Sequence, residues 1–473
     1  VQTQPAGELC EVASGGSGTD TGNVGNVRVQ CGFGQWTWEG GLNTVNASGT
    51  YGTQGAAAAG NVPGARQAGS SWTDSSGDFW LFGGVGYDAT GAAGYLNDLW
   101  HHSPSTNEWT WVSGGNAHNA AGVYGTRGTA SASNMPGARY SASSWIDSAG
   151  NLWLFGGYGY DSSGAVGKLN DLWQYSPSTG LWTWIGGEEV ANVTGVYGTL
   201  GTASAGNVPG ARQAASSWID SAGNLWLFGG VGYDSSGGPG NLNDLWEYDP
   251  STNAWTWVGG GVGDNAAGVY GAQGTPAAGN VPGARYSASY WIDSAGNLWL
   301  FGGYGYDSTG AVGKLNDLWR YTPGSGQWTW IGGEDVANFS GAYGTLGTPA
   351  TGNVPGARQA GSSWIDSAGN LWLFGGVGYD FIGEVGNLND LWEYDPSTNE
   401  WTWVSGNAMV NAIGIYGTQG TASVGNVLGG RSSISSWIDS SGNVWLFGGY
   451  GFDLSGNLGY LNDLWQYNPS TGS

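Results

Sequence analysis

One unit of sequence is written six times along this chain, and its period constrains the fold more than any other feature. The arginine of a Pro-Gly-Ala-Arg segment falls at Arg66, Arg139, Arg212, Arg285 and Arg358, with a Leu-Gly-Gly-Arg counterpart at Arg431, in steps of 73 residues. A Trp-Thr-Trp segment beginning at Trp36, Trp109, Trp182, Trp255, Trp328 and Trp401 keeps the same step. Read from Arg139, one unit divides into four short strands. Arg139 to Asp147 alternates small and larger residues up to the turn Ser148-Ala149-Gly150. Asn151 to Gly157 is an apolar strand that a glycine pair is expected to stop. A Gly-rich loop leads to a strand from Asp171 to Tyr175, and the turn Pro177-Ser178-Thr179-Gly180 leads into Trp182-Thr183-Trp184. Turn-bounded strands of period two predict a four-stranded antiparallel sheet per unit. One such sheet cannot bury both faces, whereas sheets packed radially around an axis can.

Counting tryptophans predicts how the ring closes. Each unit carries five, but the sixth carries only Trp437, Trp445 and Trp465 before the sequence stops at Ser473. The missing pair, Trp36 and Trp38, stands ahead of the first unit, and together they account for all 30 tryptophans. The expectation is an all-β fold: a six-bladed β-propeller over residues 35–473, closed by the segment 35–40, behind an N-terminal extension of residues 1–34. A second rhythm runs over the first. The residues after each Arg alternate (Gln67-Ala68, Tyr140-Ser141, Gln213-Ala214, Tyr286-Ser287, Gln359-Ala360, then Ser432-Ser433), and Val85, Tyr158, Val231, Tyr304, Val377 and Tyr450 alternate after the glycine pair. The ring is therefore expected to be a trimer of two-blade units.

The glycine pair after an apolar strand, the Asn-Asp-Leu-Trp that follows, and the Trp after a Pro-Ser-Thr turn resemble the kelch motif. They are most similar to bacterial repeats akin to the central domain of galactose oxidase, and the resemblance covers residues 36–473. The unit is longer than the ~50 residues of a common kelch repeat. The resemblance implies a propeller but not the oxidase chemistry, which uses copper held by two His and two Tyr, one Tyr linked to a Cys. The three histidines here are His101, His102 and His118, and neither cysteine lies in a blade. A sialidase, the other six-bladed candidate, has a turn motif one residue shorter than Asp147-Ser148-Ala149-Gly150.

Composition bears on surroundings and partners. With 35 acidic residues against 11 basic ones and a formal charge of −24, the chain repels nucleic acid and anionic membranes and attracts cations. No apolar run approaches the ~20 residues of a membrane-spanning helix, so no membrane insertion is expected. Cys10 and Cys31 close a short loop ahead of the repeats and read as a disulfide, hence an oxidising compartment, with two free thiols the alternative. Asn46, Asn192 and Asn338 head Asn-X-Ser/Thr sequons on alternate units, candidate glycosylation sites. The chain opens on Val1 with no signal-peptide core near it. Together these features read as a processed protein acting outside the cell or on its surface.

Strand direction assigns the loops to rims. The first-to-second and third-to-fourth turns are short and share one rim. The second-to-third loop, about 13 residues, and the blade-to-blade connection, about 25, share the other, where long loops either carry a ligand face or pack on each other as a lid anchored by motifs such as Tyr124-Gly125-Thr126. On that rim Arg66, Arg139, Arg212, Arg285, Arg358 and Arg431 open the innermost strands, where bidentate structural pairing to Asp98, Asp171, Asp244, Asp317, Asp390 and Asp463 is the leading reading and an axial anion-binding ring, or recognition of a carboxylate-bearing sugar, the alternative. The loop aspartates Asp88, Asp161, Asp234, Asp307, Asp380 and Asp453 read as turn formers, with Ca²⁺ binding as the alternative. The tryptophans read mainly as core, with exposed sugar platforms the alternative. Near-uniform units favour multivalent binding over catalysis, because an active site breaks a ring's symmetry. The expected function is a non-catalytic exported module that takes a glycan or protein ligand at the long-loop face. Two alternatives stand beside it: a self-associating assembly protein that exchanges its closing strand, and an enzyme of unidentified type.

Overall fold

The computed structural model describes residues 9–14, 28–32 and 34–469. Within them the chain is all-β: six sheets of antiparallel strands stand around a central axis as a six-bladed propeller. Blade 2 is representative. Its inner strand comes in two pieces, Arg139–Tyr140 and Ser143–Ile146, both paired to Leu152–Tyr160. That second strand pairs with Val166–Ser176, which pairs with the outer strand Leu181–Gly186.

The break in the inner strand is a designed corner. Ser141 holds a positive φ of 52°, as do Ala68, Ala214, Ala360, Ser287 and Ser433 at 52–57° in the other blades. This turn aims one N–H around the ring instead of along the sheet. Each donates to the carbonyl of its counterpart in the preceding blade at 2.8–2.9 Å, so six backbone hydrogen bonds form a closed collar around the axis. Opposite the corner lies the glycine pair, Gly156 and Gly157, at φ of 64° and 94°. A Cβ on Gly156 would meet Arg212 O of the next blade at 2.7 Å and Leu169 O at 2.8 Å, so only glycine lets neighbouring blades approach this closely.

The glycine pair does not end its strand. The chain bulges there and continues to Tyr160, and the third strand begins at Val166, earlier than expected. The second-to-third loop thus shrinks to the turn 161–165, because residues read as loop pair as a hairpin extending above the collar. The blade-to-blade connections remain long, but they are folded onto the sheets. In the connection to blade 2, Val123 bridges Met135 and Ser131 bridges the outer-strand Trp182.

Six apolar clusters form the core, each lying between two blades. One joins Trp72, Trp80, Phe82 and Leu99 of blade 1 to Leu152, Leu154, Trp173 and Trp182 of blade 2. The tryptophan of each Asn-Asp-Leu-Trp segment (Trp173 in blade 2) is fully buried, removing roughly 200 Å² of surface and contributing at most about 5 kcal/mol.

Closure takes place within the chain. Gln35–Gly40 is the outer strand of blade 6, pairing Trp36 with Tyr467 and Trp38 with Trp465. The inner strand of blade 6, Ser435–Ile438, lies beside Ser70–Thr73 of blade 1. Ahead of the ring, Leu9–Ser14 pairs antiparallel with Arg28–Gly32, and the register sets Cys10 opposite Cys31. The disulfide itself concerns side chains outside the described residues. Among the described residues no helix is long and apolar enough to cross a membrane.

Candidate functional site

The repeated arginines, aspartates and tyrosines meet in a buried knot at the long-connection end of every blade. In blade 2, Arg139 Nη1 and Nη2 donate to Asp171 Oδ1 and Oδ2, both at 2.7 Å. Nη1 also donates to Gly156 O and Nε to Gly137 O, at 2.9 Å each. Asp171 Oδ2 accepts further bonds from Tyr124 Oη at 2.6 Å and Trp173 Nε1 at 2.7 Å. Burial works against the arginine's charge, but the Asp171 carboxylate outweighs it and raises the guanidinium pKa. Burial and the same carboxylate push the Tyr124 hydroxyl well above its ordinary range.

The other five blades repeat the pairing: Arg66 with Asp98, Arg212 with Asp244, Arg285 with Asp317, Arg358 with Asp390 and Arg431 with Asp463. All six arginines are at most 1% exposed, and their aspartates are fully buried. The arginines therefore form no axial anion site. An anion would have to reach a closed interior and displace a bidentate carboxylate already desolvated with its partner. Each knot instead ties the incoming connection, through its tyrosine, to the first and third strands of its blade.

The loop aspartates are equally occupied. Asp161 Oδ1 accepts from Ser163 N and Oγ and from Ala165 N at 2.7–2.9 Å, while Oδ2 accepts from Ala191 N at 3.0 Å. Burial opposes its charge, but these hydrogen bonds prevail and lower its pKa. Asp88, Asp234, Asp307, Asp380 and Asp453 organise their turns in the same way. Each is a single carboxylate engaged by its own turn, far short of the six to eight oxygens of a Ca²⁺ site.

Asn46, Asn192 and Asn338 are exposed and sit at φ of 64–67°. Asn192 clamps the third strand, its N–H donating to Lys168 O at 2.7 Å and its Oδ1 accepting from Lys168 N at 2.9 Å. Asn119, Asn265 and Asn411, which head no sequon, make the same clamp. Backbone geometry thus explains an asparagine in all six connections.

A feature that breaks the ring's symmetry on this rim is a cluster of tyrosines. One third-strand position above the collar reads Tyr95, Lys168, Asn241, Lys314, Asn387 and Tyr460 around the ring. Tyr95 of blade 1 lies 5.2 Å from Tyr140, 6.0 Å from Tyr158 and 5.9 Å from Tyr160 of blade 2, between ring centroids. Tyr460 of blade 6 lies 5.4 Å from Tyr450 and 6.1 Å from Tyr87 of blade 1. These seven half-buried rings span blades 6, 1 and 2. Burial, then the neighbouring phenols, raises the pKa of Tyr95 and Tyr460 and keeps the hydroxyls neutral. Lys168 and Lys314, the chain's two lysines, lie farther round the mouth near the rings of Tyr233 and Tyr304, and burial lowers their pKa. The alternation of Gln and Tyr was legible in the sequence; the convergence of Tyr95 and Tyr460 on it was not.

The short-turn rim carries concavities that the sequence reading did not expect. An axial funnel of about 530 Å³ is lined by one Ser-Trp-Ile triplet per blade, with Thr73 and Tyr290 as departures. The two-blade rhythm persists there. Trp145, Trp291 and Trp437 donate to carbonyls of the next blade at 3.0–3.3 Å, whereas Trp72 and Trp218 find no protein acceptor. Between blades 5 and 6 a groove of about 520 Å³ brings together Asp366, Glu393, Asp395, Glu400, Trp372 and Tyr467. Burial, then the charge of Asp366, pushes the Glu393 carboxyl up to about 7, although it accepts from Asn370 Nδ2 at 2.7 Å.

No protein-family profile matches the chain. Over 142 residues it is 30% identical to an N-acetylneuraminate epimerase of Escherichia coli O157:H7, a stretch covering 25% of this chain and 34% of that protein. Over 44 residues it is 48% identical to N-acetylneuraminate epimerases of Shigella flexneri, covering 9% of this chain and 11% of theirs. The matched stretches thus span about a third or less of these relatives' length.

Proposed function

We propose that this propeller is a kelch-type, non-catalytic binding module acting outside the cell, which takes sugar rings at the tyrosine-lined mouth of its long-connection rim. The observation that carries this reading is the cluster around Tyr95 and Tyr460. Neighbouring half-exposed phenol rings 5.2–6.1 Å apart offer flat faces for the C–H side of a sugar. Their neutral hydroxyls and the two nearby lysines offer hydrogen bonds at its edge. The relatives' name, N-acetylneuraminate epimerase, supports a sugar as the ligand class.

The test is a glycan array followed by titration calorimetry on the wild type and on Tyr95→Asn and Tyr460→Asn. Asparagine occupies the same position in blades 3 and 5, so both variants keep the blade intact. The expected result is binding weakened at least tenfold in each. An array without any binder, or variants that bind as the wild type does, would remove the reading.

One observation favours self-association as a second reading. On the same rim, in blades 5 and 6, Phe381, Ile382, Met409, Ile413 and Leu454 are 45–56% exposed. The positions of Phe381 and Ile382 are Ser308 and Thr309 in blade 4 and Ser235 and Ser236 in blade 3. Such a patch suits a second copy of the chain. Sedimentation velocity over a concentration series should show association that the pair Phe381→Ser and Ile382→Ser abolishes; a strict monomer at every concentration sinks it.

A further inference from the structure

On the short-turn rim, opposite the tyrosine mouth, blade 1 departs from its siblings at two adjoining positions. The other five blades carry an asparagine (Asn151 in blade 2) where blade 1 carries Asp78. They carry Gln, Glu or Arg where it carries His101. In the siblings this asparagine donates its amide to the turn aspartate, at 2.9–3.1 Å. Blade 1 replaces the donor with a second carboxylate beside Asp74. Two carboxylates in that relation repel each other unless a positive charge lies between them.

The third group is an imidazole, whose nitrogen can share such a charge as a ligand. His101 Nε2 lies 3.2 Å from Asp78 Oδ2, against 2.7 Å for the His118–Asp88 pair, and both side chains are about one quarter exposed. One ligating atom from each of Asp74, Asp78 and His101 lies within 4.8 Å of the others. A tetrahedral ion with bonds of about 2.0–2.2 Å sets its ligands roughly 3.3–3.6 Å apart, close to the imidazole–carboxylate spacing here.

The supporting contacts are in place. Asp74 Oδ1 accepts from Ser76 N and Asp78 N, and its Oδ2 from Trp80 Nε1 at 3.0 Å. Ser103 Oγ donates to Asp78 Oδ1 at 3.0 Å, which turns Oδ2 toward His101. Such contacts orient ligands and tune their basicity. Beside the triad opens a cleft of about 470 Å³ lined by Asp78, Ser103 and, from blade 6, Asp439 and Ser440. Of the triad Asp78 lines this cleft, so an ion held there would meet it on the Asp78 side.

We propose that Asp74, Asp78 and His101 form a binding site for a divalent transition-metal ion of the Zn²⁺ class, with open coordination positions facing the cleft between blades 1 and 6. The imidazole nitrogen selects Zn²⁺, Co²⁺, Ni²⁺ or Cu²⁺ over the oxygen-seeking Ca²⁺ and Mg²⁺. The site is independent of the sugar reading.

Calorimetric titration of the metal-stripped full chain with Zn²⁺ tests it, alongside D78N, H101Q and H118Q. The first two restore residues that sibling blades carry, so the turn keeps its hydrogen bonds. One equivalent should bind to the wild type and to H118Q, with affinity at least tenfold weaker in D78N and in H101Q. Zn²⁺ should raise the melting temperature of the wild type and leave that of the two variants unmoved. A wild type without saturable binding overturns the site. So does undiminished binding in D78N and H101Q, and so does loss confined to H118Q.

Discussion

Repetition gives each side chain five internal comparisons, and the buried Arg–Asp knots show what they reveal. The pairing recurs with nearly the same distances in six blades because a desolvated guanidinium tolerates no looser arrangement. Asp171→Asn, which leaves Arg139 charged and unpaired, should destabilise the protein by about 3–5 kcal/mol. Tyr124→Phe, which removes one bond to the carboxylate, should cost only about 1–2 kcal/mol. Urea unfolding of both variants checks the ratio. Glu393 makes a prediction of opposite character. Its pKa, about 7, lies above the ordinary carboxyl value of 4.5, so the folded state holds the proton more tightly than the unfolded state does. Its contribution is therefore fully present below about pH 4.5 and is lost as pH rises through 7. Glu393→Gln, the residue of blades 2 and 6, should raise the melting temperature at pH 8 and change it little at pH 4. An equal shift at both pH values would contradict the assignment.

Among the elements, the strands and their order were readable from turn chemistry and period, whereas the role of the glycine pair was not. A pair of glycines after an apolar run reads as a stop. Here it is a bulge, imposed by the backbone of the next blade, and contact between blades leaves no mark on local propensity. Gly229→Ala should destabilise by about 2–4 kcal/mol, since its Cβ would overlap Arg285 O and Leu242 O at 2.8 Å and φ is +65°. The collar residue Ala214 also holds a positive φ, 55°, but there Ala214→Gly should be neutral or stabilising by less than about 1 kcal/mol. Thermal unfolding of the two variants side by side separates close approach from simple backbone strain.

For the whole molecule the decisive element is the outer strand of blade 6. Trp36 packs against Tyr467 and Phe374, so the last wedge of core depends on residues contributed from the other end of the chain. Deleting residues 1–33 should leave the melting temperature within a few degrees of the wild type. Deleting residues 1–40 should expose the third-strand edge and the core beneath it, giving aggregation or a large loss of stability. Scanning calorimetry and light scattering of both truncations distinguish a closing strand from a dispensable one. The register of Cys10 opposite Cys31 leads us to expect a cross-strand disulfide, checked by intact mass before and after reduction and alkylation.

The sequence alone determined the number of blades, the strand that closes them, the alternation of odd and even units and the repeated arginines and aspartates of the knots. All of these repeat, and a period is visible without coordinates. The unrepeated features were decided by tertiary structure. Tyr95 and Tyr460 belong to the first and last units and share a mouth only because the ring brings blade 6 against blade 1. Asp78 and His101 look like scattered departures until strand pairing sets them beside Asp74. The axial funnel exists only where six inner strands converge. Local sequence encodes the strands of a blade, because their turns and ladders lie within one unit in every blade but the sixth. The tyrosine mouth and the axial funnel lie where different units meet, and that meeting is a property of the closed ring, whereas the Asp74–Asp78–His101 triad is assembled within blade 1 by its own turn and strand pairing.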